Sequence, residues 1–287
     1  MPPVPSSTPV AAGPPLALVD LPSDSLAPTR SAGVAPGRLA SRALAPLLLL
    51  GAWQLASATG FVAREVLPPP TDVAAAYGEL ISTGELQEAL PVSLARSLVG
   101  LALGGGTGLV LGLCAGLWRR GEELFDAPLQ MLRTVPFIAM IPLFIIWFGI
   151  GEGAKIALIY AATIFPVYLN TYAGVRGVDP KLIEAARVFD LAPRGIALRV
   201  ILPTALPSIL VGLRYSAGVA LLALVAAEQI NARSGIGYIL INANVNQRAD
   251  IIIAGIILYA LLGILIDIIM RAVERLALPW RGKLVLA

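Results

Sequence analysis

The stretch Ser97-Leu-Val-Gly-Leu-Ala-Leu-Gly-Gly-Gly-Thr-Gly-Leu-Val-Leu-Gly-Leu-Cys-Ala-Gly-Leu-Trp118 runs for 22 residues without a charge. About 20 apolar residues suffice for an α-helix to cross the hydrocarbon core of a bilayer, and a helix satisfies the backbone groups that lipid cannot. Within the stretch Gly100, Gly104, Gly108, Gly112 and Gly116 recur at every fourth position. On a helix that spacing makes one nearly continuous ridge without side chains, against which a neighbouring backbone can pack closely. The neighbour is either another helix of the same subunit or a helix of a second copy; the spacing leaves both open.

The rest of the chain has the same character. Of 287 residues, 57% are hydrophobic and 14% charged, with a mean hydropathy of +0.81, whereas soluble domains carry about 25% charged residues. Histidine is absent and Cys114 is the single cysteine. Zinc sites, histidine-ligated haem, Ser-His-Asp or Cys-His catalysis and internal disulfides are therefore excluded, and no metal site is expected. The chain has no G-x-x-x-x-G-K-[ST] stretch, so any ATP it uses is held and hydrolysed by a partner. The net charge of +3 in so apolar a chain points to basic residues at the cytoplasmic membrane face, not to nucleic acid.

Six spans follow from the apolar runs, at about residues 43–60, 91–118, 124–151, 156–175, 203–227 and 251–270. Residues 1–42, rich in Pro, Ala and Ser, read as a flexible tail, and 281–287 as a second one. The run at 43–60 is also compatible with a cleaved signal, since Ala56-Ser57-Ala58 resembles a peptidase site. Pro128, Pro136 and Pro142 break the third span. The N-terminal tail, the second-to-third connection counted through Arg133, the fourth-to-fifth connection and the C-terminus from Arg271 onward hold fifteen Lys and Arg, against four in the other three connections. Basic residues mark the cytoplasmic side, so the fold expected is all-α and polytopic, with six transmembrane helices and both termini cytoplasmic. The acidic segment 61–90 then lies outside.

The fourth-to-fifth connection, 179–202, carries a helical elbow. Asp179 is a good N-cap and Pro180 a good first residue, so a short helix begins there and carries Glu184, Ala185, Ala186 and Arg187. It ends near Phe189, and Asp190 falls where a left-handed residue is wanted, a position best filled by Gly. A second piece starts at Pro193 and leads to Pro203. The elbow is expected on the cytoplasmic face, with Ala185 and Ala186 on show as a surface to be gripped.

Glu184-Ala-Ala, the turn residue and Ile201-Leu-Pro203 together resemble the EAA loop of ABC-importer permease subunits of the binding-protein-dependent class. Val135-Pro-Phe-Ile-Ala-Met-Ile-Pro-Leu-Phe-Ile-Ile-Trp-Phe-Gly149, Phe165-Pro-Val-Tyr-Leu-Asn-Thr171, Gly174-Val-Arg-Gly-Val-Asp-Pro180, Ala226-Ala-Glu228 and Ser234-Gly-Ile-Gly-Tyr238 are similar to the branch that takes up nitrate, taurine and aliphatic sulfonates. The resemblance spans about residues 43–280. It implies a homodimer in the bacterial inner membrane, cytoplasmic ATPase subunits that bind ATP and Mg and grip the elbow, and a periplasmic or lipid-anchored solute-binding protein. By position, Glu184 would face the ATPase, Ala185 and Ala186 would fit its groove, and Pro203 would open the fifth span. The family's loop has Gly where this chain has Asp190, which bears on the turn.

Pro136 and Pro142 are pathway candidates because carbonyls freed by proline are tolerated only against protein or a water-filled cavity; Phe137, Met140 and Phe144 are pore-lining candidates beside them, packing explaining each equally well, and Asn170 is a further pathway candidate. Arg214 and Asp267 are charges inside the last two spans and functional candidates for that reason. Asp267 pairs with Arg271 four residues on; Arg214 snorkels, pairs with Asp267, or attracts an anion. Glu228 and Asn231, at the outer end of the fifth span, suit a gate or a docking surface. A stand-alone secondary transporter or channel is the alternative, but neither an inverted repeat nor a cluster of midplane charges supports it. A membrane enzyme lacks grouped carboxylates within the spans.

Overall fold

The computed structural model describes residues 36–230 and 232–280. The tail expected at 281–287, most of that at 1–42, and Asn231 lie outside the described residues. The chain forms two units, Met1–Leu50 and Gly51–Ala287. In the first, the described part is helical from Pro36, where helix α1 (Pro36–Ala58) begins. The second holds the rest of α1 and all the elements below.

Every described element is helical. Helix α2 (Pro70–Ser82) and the long α3 (Glu85–Leu117) lead into α4 (Arg119–Arg133). A 3-10 turn (Phe137–Met140) and α5 (Ile141–Phe148) follow, then α6 (Glu152–Arg176), α7 (Pro180–Val188) and α8 (Pro193–Ile196). A π-turn (Ala197–Ile201) joins α8 to α9 (Leu202–Glu228), and α10 (Ile236–Val245) and α11 (Ala249–Ala277) complete the unit. Four helical stretches are long and apolar enough to cross a membrane: Glu85–Leu117, Glu152–Arg176, Pro193–Glu228 and Ala249–Ala277. A fifth candidate is Arg119–Arg133 with Phe137–Phe148, which bend through 92°. Prolines account for the bend: Pro136 has no N–H for a continuing helix and Pro142 fits only the first turn of the next.

The core is α6 between α3 and α9. Four-residue glycine spacing on α3 turns its bare face onto α6, so the ridge packs within one subunit. A methyl group at Gly100 would lie 2.6 Å from the Cβ of Ile159, and one at Gly112 or Gly116 2.7 Å from the Cβ of Thr171 or Val175. Small residues also set the second contact, where Gly212 of α9 faces Asn170 and Gly174 of α6 faces Ser208. Hydroxyls reinforce it: Ser208 donates to the Asn170 carbonyl and Ser216 to that of Thr163, each at 2.8 Å.

Two helices lie in segments read from the sequence as loops. Helix α2 opens on Pro70 and buries Val73, Ala76 and Leu80 against Ile239, Ala243, Ile251 and Ala254 of α10 and α11, and the Tyr77 hydroxyl donates to the Ala254 carbonyl at 2.6 Å. Helix α10 is too short to span.

Candidate functional site: elbow, cavity and outer network

The elbow is built by its two ends. The Asp179 carboxylate accepts the Lys181 backbone N–H at 2.9 Å, satisfying one of the donors a helix start leaves open. At the other end Phe189, Asp190 and Leu191 donate their N–H groups to the carbonyls of Ala185, Arg187 and Ala186. Asp190 has a φ of +52°. This is a Schellman cap, with Asp doing the work of Gly in the left-handed position. Glu184, Ala185 and Arg187 are exposed. Ala186 is not on show as expected: it is 5% exposed, because its side chain lies on the inward face and its carbonyl closes the cap. Val188 and Phe189, about four-fifths exposed, extend the free face instead, together with Leu182. Pro203 is the second residue of α9, and with no N–H to donate it widens the preceding turn into the π form, where the Leu202 N–H reaches the Ala197 carbonyl.

Helix α4 runs alongside the C-terminal half of α6 in the opposite direction. Glu122 meets the Tyr172 hydroxyl and Arg176, Asp126 accepts from the Tyr168 hydroxyl at 2.9 Å, and the Arg133 guanidinium stands 5.4 Å from the Phe165 ring centroid. Beyond Arg133 the chain bends away and opens a cavity of about 860 Å³ between α4, α5, α6 and α9. Phe137, Met140, Phe144 and Asn170 line it, joined by Arg133 and Tyr215. Pro136 and Pro142 shape the bend and are not among its lining residues. Arg214 faces away, its Nη2 2.6 Å from Asp267, and the other Asp267 oxygen accepts from Arg271 at 2.8 Å. Both pairings expected of Asp267 therefore form together.

Glu228 is fully buried, which rules it out as a docking surface. Its carboxylate accepts from Ser93 and Arg96 of α3 at 2.6 Å each, from the Gly237 N–H at 2.9 Å and from the Tyr259 hydroxyl at 2.8 Å. Arg96, 3% exposed, also makes a bidentate pair with the half-exposed Glu152 and donates to the Ser234 carbonyl at 2.8 Å. One carboxylate thus ties α3, α9, α10 and α11 together. Arg96 and Arg133 were not singled out from the sequence, although an arginine bordering or entering an apolar span needs a partner or a cavity.

At the start of α11 Arg248 binds Glu79 of α2 at 2.6 Å and Asp250 at 2.8 Å. Its hydrogen bond and charge hold the Glu79 carboxyl below the usual carboxylate range, and the two acids raise Arg248 in turn.

Residues 108–278 match the family described as "Binding-protein-dependent transport system inner membrane component". The chain is 45% identical over 240 residues to the aliphatic sulfonates transport permease protein SsuC of Bacillus subtilis (strain 168), covering 84% of this chain and 87% of that one. It is 47% identical over 235 residues to the SsuC of Escherichia coli (strain K12), covering 82% and 89%. Among solved structures, an amino acid ABC transporter superposes with a TM-score of 0.59 at 19% identity over 69% of this chain and 97% of that one. At that identity the likeness is one of fold.

Proposed function

The chain belongs to the family of binding-protein-dependent transport system inner membrane components, and from that premise we propose that it is the permease subunit of an ATP-driven importer of a small anion. It is a multi-pass inner-membrane protein. We count α1 as the first span and the bent α4–α5 pair as the third, giving six with both termini in the cytoplasm, a reading that the distribution of Lys and Arg supports. The relatives named for aliphatic sulfonates support a sulfonate as the solute; taurine and nitrate are the neighbouring choices.

The observation that carries the reading is the elbow. A nine-residue helix capped at both ends presents Glu184, Ala185, Arg187 and Phe189 exposed among the described residues, on the side the basic residues mark as cytoplasmic. That is a rigid handle for a partner. We assign the handle to an ATPase subunit that holds ATP and Mg, two such subunits serving a permease homodimer. A periplasmic or lipid-anchored binding protein delivers the solute, and no nucleic acid is involved. ATP binding draws the two elbows together and turns the permeases outward; hydrolysis returns them. The differential contacts such a switch needs lie at the elbow.

The test is reconstitution. Liposomes containing the permease, its ATPase and its binding protein should accumulate labelled alkanesulfonate only with internal ATP. Uptake by the chain alone under an ion gradient would establish a secondary transporter instead.

A further inference from the structure

Arg133 occupies an expensive position. Phe165, over which its guanidinium stands at 5.4 Å, is the fourteenth residue of the 25-residue α6, about 20 Å along the helix from Glu152 at 1.5 Å per residue. In the sequence Arg133 falls within the third apolar run, 124–151, near its cytoplasmic start; in the fold it stands level with the middle of a membrane-crossing helix. A charge at that depth is tolerated where it faces a partner or an aqueous cavity, and such residues mark transport routes. Among the described residues no carboxylate lies within 4.0 Å of Arg133, the ring of Phe165 being its recorded partner. The three acids of α4 are engaged elsewhere: Glu122 with Tyr172 and Arg176, Glu123 with Arg119, Asp126 with Tyr168.

The cavity that Arg133 borders has the complementary chemistry. Its lining includes no acid and is otherwise apolar and aromatic, with Phe137, Met140 and Phe144 on one wall. Asn170 spends one side-chain N–H on the Pro166 carbonyl at 2.8 Å, and its carboxamide carries a second. At about 860 Å³ the space falls in the range of small-molecule sites.

We infer that this cavity seats the solute on its way through the permease, and that it takes an anion with an alkyl tail: the anionic head on Arg133 and Asn170, the tail against Phe137, Met140 and Phe144. The inference rests on the importer reading, which already supplies an alkyl-tailed anion as the solute, and adds its seat and the residues that hold its two ends. The guanidinium supplies several N–H donors in a plane for an oxyanion, and the ring beneath it holds the cation without neutralising it.

A charge-preference measurement tests this separately from transport. In a Cys114→Ser background, Met140→Cys provides a single thiol for the anionic reagent MTSES and the cationic reagent MTSET in native membrane vesicles. The anionic reagent should react faster than its cationic counterpart once both rates are normalised to those with a free thiol in solution, and Arg133→Gln should reduce that preference by about tenfold or more, as expected for loss of a nearby charge in a low-dielectric site. Hexane-1-sulfonate should slow labelling and hexyltrimethylammonium should not. A preference unchanged by Arg133→Gln, or no protection by hexane-1-sulfonate, overturns the inference; the latter is also the result expected if lipid or a second copy fills the cavity. Should Arg133→Gln fail to insert, the comparison of the two reagents and the two protectants in the Arg133 protein decides alone. Because labelling requires neither ATP nor a binding protein, absent uptake would count against the importer reading and absent charge preference against the seat.

Discussion

Arg96 of α3 and Glu228 of α9 meet at 2.6 Å with both side chains closed to solvent, 132 residues apart in sequence. Burying two charges is unfavourable unless each finds further partners, and here Ser93, Tyr259 and the Gly237 N–H complete the carboxylate while Glu152 and Ser234 complete the guanidinium. Removing one member leaves the other buried and uncompensated. Glu228→Ala should therefore destabilise the permease by about 3 kcal/mol or more, read as a lowered thermal midpoint in detergent, and should free α10. Replacing Arg96 and Glu228 together by leucine should cost less than the single change. Equal midpoints for Glu228→Ala and the parent would contradict this role.

The glycine ridge makes a graded prediction. Gly→Ala at 112 places a methyl group 2.7 Å from the Thr171 Cβ and 2.8 Å from the Tyr168 carbonyl oxygen, so α3 and α6 must separate, at a cost of about 1–3 kcal/mol. Gly106, with nothing within 4 Å of an added Cβ, is the control, and Gly106→Ala should be neutral or slightly stabilising. Thermal unfolding of the two variants side by side checks the pair.

Asp190 holds a φ of +52°, a conformation that L-residues adopt at a cost and glycine adopts freely. Asp190→Gly should raise the stability of the elbow by about 1 kcal/mol and leave transport intact. Asp190→Val, β-branched in the left-handed region, should open the cap and reduce transport. Hydrogen exchange at the Leu191 amide, whose N–H closes the cap on the Ala186 carbonyl, follows both.

Glu79 sets a pH dependence on the contact between α2 and the start of α11. Its carboxyl is lowered by the hydrogen bond and charge of Arg248, so the folded state favours the ionised form relative to the unfolded chain. The corresponding stabilisation is full above the ordinary carboxylate range and is lost as pH falls through the lowered folded value. Acidification should loosen α2, and Glu79→Gln should remove the part of that dependence that Glu79 supplies. Trp53, whose indole N–H donates to the Pro68 carbonyl at 3.0 Å just before α2, is a fluorescent reporter for it.

Much of this architecture was readable from residue spacing. The uncharged run after Arg96, the prolines of the third span, and Asp179 and Asp190 at the two ends of the elbow each state a local requirement that the fold meets where it arises. The remainder depends on which faces meet. Helices α2 and α10 are short, and their apolar residues become meaningful only once Val73, Leu80, Ile239 and Ala243 are seen to share one cluster. Ala186 reads as a small surface residue until the turn after it directs it inward. Glu228 sits beside Ala227 as an acid at the end of a span, and its buried role requires Ser93 and Arg96 from a helix far away in the chain. Arg133 follows apolar residues of an amphipathic helix, and its depth is set by where α4 lies along α6.

The central claim is that the elbow between α6 and α9 transmits ATP-driven motion to the permease, and Glu184 is the exposed residue on which it turns. ATP-dependent alkanesulfonate uptake by liposomes containing the Glu184→Lys permease with its ATPase and binding protein tests it most directly. The account predicts uptake at background and weakened association with the ATPase, while the variant unfolds at the same temperature as the parent. Parental uptake with an intact complex would contradict it.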